Sequence, residues 1–161
     1  MTLFATVTFG QTKSSVNPPK KPLSAFKLSL TTFNHATLLF KGTTTYILTA
    51  KSIKIIKTSL GKKKGTIVFS KPLLSFQESS ASINNFGLDS LKDRYDNYCV
   101  MVTSGDEFFL DYNGYSMKKN ISLHHYYLKA LDDIINIINS YLPKSYQFRY
   151  LEKNTRQDCD P

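Results

Sequence analysis

Two sets of side chains in this sequence could do chemistry. One is a scatter of histidines, cysteines and carboxylates; the other is a dense run of lysines interleaved with aromatics. The first set lacks the geometry of a catalytic or metal centre. His124 and His125 are adjacent, so on the helix expected there they point about 100° apart and cannot both face one metal. His35, Cys99 and Cys159 complete no pair with zinc-ligand spacing. Asp106, Glu107 and Asp111 bracket an expected hairpin. They could hold a divalent ion, or simply solvate an acidic surface. No phosphate-binding loop, dinucleotide-binding glycine fingerprint or nucleophile elbow occurs. The residues therefore point to a non-enzyme without cofactor or metal.

The second set is better organised. Residues 1–77 contain twelve lysines and no Asp or Glu; the first acid is Glu78. Residues 78–161 hold nine Lys/Arg against twelve Asp/Glu, so the whole net charge of +9 comes from the first half. Like charges repel, and a surface with no special partner usually intersperses both signs. An acid-free half therefore fits a polyanionic partner, whose counterions are released as lysines dock on phosphates. Lysines fall where strands and turns expose them, at Lys27, Lys41, Lys51, Lys54 and Lys57, and in the GKKKG turn at Lys62, Lys63 and Lys64. Phe33 and Tyr46, with polar neighbours, are the candidate stacking platforms. Single-strand binders combine such a cationic groove with aromatics, each stacked base contributing about 1–3 kcal/mol. Only Arg94 precedes the tail, and Arg is the usual reader of guanine in the major groove, so a sequence-specific duplex reader is disfavoured.

These residues need a scaffold. Alternating apolar and polar residues predict strands at 2–9, 24–31, 35–41, 44–50, 52–58, 65–70, 72–77, 98–104 and 107–112, joined by short turns. Residues 10–22, with three prolines, read as a loop or arm, and 78–96 as a connector with one short helix at 88–95. A long amphipathic helix is expected at about 122–142. Ser122 would be its N-cap, Leu123, Tyr127, Leu131, Ile134, Ile138 and Leu142 its apolar stripe, and Pro143 its stop. The fold class is thus α+β, with one or two antiparallel sheets packed on a long C-terminal helix. Residues 1–143 form one β-rich domain, or two sheet repeats at about 2–77 and 97–143, and 144–161 form a tail.

Length and composition suit a globular domain. Two distant cysteines suit a reducing compartment, and no signal peptide or membrane-length apolar run is evident, so an intracellular, cytoplasmic, soluble protein is expected.

With the helix segment YLKALDDIINIINSYLP at 127–143, this order of strands, connector, strands and helix resembles the Whirly family of single-stranded DNA-binding proteins over about residues 24–143. That family's lysine–glycine–lysine signature is absent, the nearest stretch being GKKKG at 61–65, so no residue roles carry across. The resemblance implies β-sheet repeats packed on helices, single-stranded DNA rather than RNA on the sheets, and homo-oligomers formed through the helices. The expected function is sequence-nonspecific single-stranded nucleic-acid binding. Two readings stay open beside it: a small capsid or nucleocapsid-type structural protein, and a protein-interaction regulator with an acidic partner.

Overall fold

The chain is described here by a computed structural model, which places residues 26–34, 42–73, 86–97, 106–114 and 117–150. The expected strands at 2–9, 35–41 and 98–104, the 10–22 arm, Lys41 and residues 151–161 lie outside the described residues.

Seven strands form one mixed sheet: β1 (Lys27–Asn34), β2 (Gly42–Thr49), β3 (Ser52–Ser59), β4 (Thr66–Pro72), β5 (Arg94–Asp96), β6 (Asp106–Asn113) and β7 (Lys118–His124). Their spatial order is β4-β3-β2-β1-β6-β7-β5. The pairs are antiparallel except β5 with β7, which is parallel. Period-two alternation sends one set of side chains from each strand into the core. Leu28 and Leu30 enter from β1, Tyr46 and Leu48 from β2, and Ile53 and Ile55 from β3. Phe108, Leu110 and Tyr112 enter from β6, and Ile121 and Leu123 from β7.

Local chemistry fixes the hairpins. In the two-residue β2–β3 loop, the Thr49 hydroxyl accepts from the Ser52 amide (3.0 Å) and the Lys51 amide (3.3 Å). In the β3–β4 turn, the Lys62 amide donates to the Ser59 carbonyl (3.1 Å), with Gly61 at φ 77°. This is the third position of a type II turn, where a left-handed backbone demands glycine. Strand β4 runs on through Lys71 to Pro72, past the break expected between 65–70 and 72–77, and residues 74–77 lie outside the described residues. The register shift opposite Ile55 and Ile56 leaves Val68 as an extra, bulged residue. The bulge, Lys71 and Pro72 together blunt this exposed edge against pairing with other chains.

The helix is shorter than expected. α1 spans Lys129–Ser140, twelve residues, and buries Leu131, Ile134, Ile135 and Ile138. Ser122 is no N-cap: it lies in β7, opposite Phe109 on one side and Arg94 on the other. Residues 118–124 alternate, placing Ile121 and Leu123 inward, but Leu123 and Tyr127 are four apart and so read equally as a helix face. His125 ends the strand with a left-handed φ of 51°. Its ring is buried, and its Nε2 has no hydrogen-bond partner among the described residues. The short helix expected at 88–95 is a single 3-10 turn at Leu88–Ser90 followed by β5.

Residues 144–150, expected to begin a tail, instead close the core. Phe148 stacks on Tyr46 at 4.5 Å, and Tyr146 meets Phe69 at 5.0 Å and donates to the Val68 carbonyl (3.2 Å). The Asn139 side chain clamps this segment. It donates to the Phe148 carbonyl (2.8 Å) and accepts from the Phe148 amide (3.2 Å). Tyr150 packs edge-on to Phe108, donates to the Tyr126 carbonyl (2.6 Å) and accepts from the Leu128 amide (2.8 Å). Burial raises the hydroxyl pKa of Tyr150, and pushes that of Tyr46 up to about 12.

Candidate nucleic-acid interface

Helix α1 and the 142–150 segment cover one face of the sheet, and no described element covers the other. Strand register arranges the open face in rows that cross the strands. One row holds Ser52, Thr49, Lys27, Asn113 and Lys118. The next holds Ser70, Lys54, Ile47, Ser29, Asp111 and Asn120. A third holds Ile56, Thr45, Thr31, Phe109, Ser122 and Arg94. The fourth holds Thr58, Thr43, Phe33, Glu107, His124 and Asp96.

This face is rich in hydroxyls and carries one well-exposed aromatic. Phe109 is 46% exposed, because Phe108 beside it takes the inward position. Thr31, directly opposite Phe109, is held by a hydroxyl–hydroxyl bond to Thr45 (3.0 Å). An open groove of about 700 Å³ runs over β1, β6 and β7 here, lined by Ser29, Thr31, Phe109, Asp111, Lys118 and Asn120 among others. Phe109 was missed in the sequence, although FF within an alternating strand requires that one ring face out.

The structure divides the lysines expected to act together. Lys27 and Lys54 lie on the open face, and Lys118 of β7 joins them there. Lys51 sits in the β2–β3 loop, and Lys62, Lys63 and Lys64 sit in the β3–β4 turn at the opposite end of β3. Lys57 pairs with Thr44 and so shares the parity of Tyr46 and Ile55, the helix side, where it remains exposed. Among the described residues, Lys27, Lys51, Lys54, Lys62, Lys63, Lys64 and Lys118 have no ion-pair partner. Lys119 is different: its ammonium is tied to Asp93 (2.7 Å) and the Leu91 carbonyl.

Tyr46 is a correction. It is 7% exposed, points into the core and stacks on Phe148, so it offers no platform to a ligand. Thr43 and Thr45, which made its neighbourhood look polar in sequence, face the opposite side of the sheet. Phe33 is on the open face and half-buried, diagonal to Phe109.

Charge is graded across the sheet. The β4-β3-β2-β1 side carries lysines and no acid, while β6, β7 and β5 carry Glu107, Asp111 and Asp96. His124 Nε2 lies 3.5 Å from Glu107 Oε1, and Arg94 pairs with Asp96. Among the described residues, no three His, Cys, Asp or Glu side chains are grouped to hold a metal, and no helix is long and apolar enough to cross a membrane.

Among the described residues the architecture is a seven-stranded mixed sheet backed on one face by one α-helix, with no described element on the other face. No family model, curated protein or solved structure matches the chain.

Proposed function

We propose that this chain is a non-catalytic protein that binds single-stranded nucleic acid on its open sheet face. The observation that carries this reading is the line Lys54–Lys27–Lys118, three ammonium groups without ion-pair partners among the described residues, on the face that also presents the exposed Phe109, two rows from Lys27 and Lys118. Lys54 on β3 and Lys118 on β7 are four strand steps apart, about 19 Å at sheet spacing, with Lys27 midway. Phosphates of an extended strand can follow this line while bases lie inward over Ile47, Ser29, Thr31 and Phe109. Lys51 and the Lys62–Lys64 turn flank the face and add longer-range attraction. A broad sheet with exposed hydroxyls suits splayed bases better than a duplex groove, which is read by a protruding helix or narrow ribbon. The Whirly resemblance favours DNA over RNA and assembly into homo-oligomers, and both belong to this proposal.

The test is fluorescence anisotropy with labelled single-stranded DNA, duplex DNA and single-stranded RNA at two salt concentrations. Wild type is compared with Lys62/Lys63/Lys64→Ala. Single strands should bind most tightly, and the triple variant should show a shallower dependence of log K on log salt. Tightest binding to duplex, or no binding at low salt, would refute the proposal.

A further inference from the structure

The open face carries a second feature that phosphate capture leaves unused. Phe109 and Asp111 are two residues apart on β6, so their side chains leave the same face about 7 Å apart. Asn120 of β7 lies directly opposite Asp111. With its nitrogen turned toward acceptors, the Asn120 amide donates to Asp111 Oδ1 (3.1 Å) and to the Lys119 carbonyl (3.2 Å). That bond orients both groups. It leaves the second carboxylate oxygen of the exposed Asp111 without a protein partner among the described residues, with the Asn120 carbonyl oxygen beside it as a further acceptor.

We infer that Phe109, Asp111 and Asn120 form a base-selective subsite that prefers guanine; this rests on the single-strand reading above. An acidic side chain beside a phosphate path costs affinity through repulsion, so a carboxylate there fits a ligand that donates hydrogen bonds to it. The subsite offers an aromatic face and two adjacent acceptors. Guanine presents two adjacent N–H donors on its Watson–Crick edge, the ring N1–H and the exocyclic amine. Adenine and cytosine present one exocyclic amine there, and thymine or uracil one ring N–H. A guanine stacked on Phe109 can direct both donors at the Asp111–Asn120 pair, a charge-assisted contact that the other bases cannot complete. Lys27 and Lys118, in the neighbouring row, are placed for the flanking phosphates.

The experiment uses the full chain and three oligonucleotides: oligo-dT, the same strand with one central guanine, and the same strand with hypoxanthine in its place. Hypoxanthine keeps the ring N–H and lacks the exocyclic amine, so the ligand is altered without touching the protein fold. Guanine should bind about tenfold more tightly than either of the others, the discrimination of one good bidentate pair. In Asp111→Asn, guanine and hypoxanthine should differ by less than about twofold, while oligo-dT affinity holds or rises as a negative charge is removed. In Phe109→Ala, all three should weaken by about the same factor. Oligo-dT binding with no gain from guanine, or equal affinity for guanine and hypoxanthine in wild type, overturns the subsite and leaves the single-strand reading standing. Absence of binding to all three strands at low salt overturns both.

Discussion

Replacing Tyr150 by Phe removes one oxygen and two hydrogen bonds. The Tyr150 hydroxyl donates to the Tyr126 carbonyl and accepts from the Leu128 amide, and so ties together the connection between β7 and α1. The ring contacts with Phe108 and Tyr127 survive the change. Two part-buried backbone groups lose their partner in a space that Tyr150, itself buried, shields from water. Each unsatisfied group costs about 1–3 kcal/mol, with part of that recovered where water can reach, giving a loss of about 2–4 kcal/mol. With a urea slope of about 2 kcal/mol per molar, the unfolding midpoint should fall by about 1–2 M at unchanged slope. Hydrogen exchange at the Leu128 amide should accelerate as well. A midpoint within about 0.3 M of wild type would show that Tyr150 does not lock the 142–150 segment to the core.

Further outcomes follow from the same geometry. Burial raises the Tyr46 and Tyr150 hydroxyl pKa values in the folded chain, so their stabilising contribution is complete below about pH 10 and falls as pH rises toward about 12. Denaturant midpoints measured across that window should drop, and a Tyr46→Phe variant should drop less. Ala at Gly61, where φ is 77° and no atom lies within 4 Å of a new Cβ, should cost about 1–2 kcal/mol of stability by thermal unfolding, all of it backbone strain. Lys27/Lys54/Lys118→Ala should reduce the salt slope of single-strand binding by about 2, three phosphates at roughly 0.7 each, without shifting the unfolding midpoint.

Strands were legible in the sequence wherever alternation was strict. The alternation at 24–31 set Phe26, Leu28 and Leu30 inward, and the structure buries all three; 44–50 and 52–58 read as strands, but the runs YIL and II in them break the alternation and hide which side faces the core. Strand β7 was hidden because KNISLH carries both a two-residue and a four-residue period, and the following helix shares the second. Only the left-handed turn at His125, which no residue type there signals, separates the two. The packing of residues 144–150 was invisible because its aromatics bind across the sheet, Tyr146 to Val68 and Phe148 to Tyr46, at long sequence separation. The same contact explains the misreading of Tyr46: a polar neighbourhood in sequence is the opposite face in space. The lysine count was plain, but which lysines share a face depends on register. Lys54 and Lys57 differ by an odd number of residues and so part company across the sheet.

Amide chemical-shift mapping on the labelled protein during titration with oligo-dT tests the location of the interface most directly. The account predicts shifts concentrated at Ser29, Thr31, Thr45, Ile47, Phe109 and Ser122, with α1 unperturbed. Shifts centred on α1 and the 144–150 segment, or none at low salt with excess strand, would contradict it.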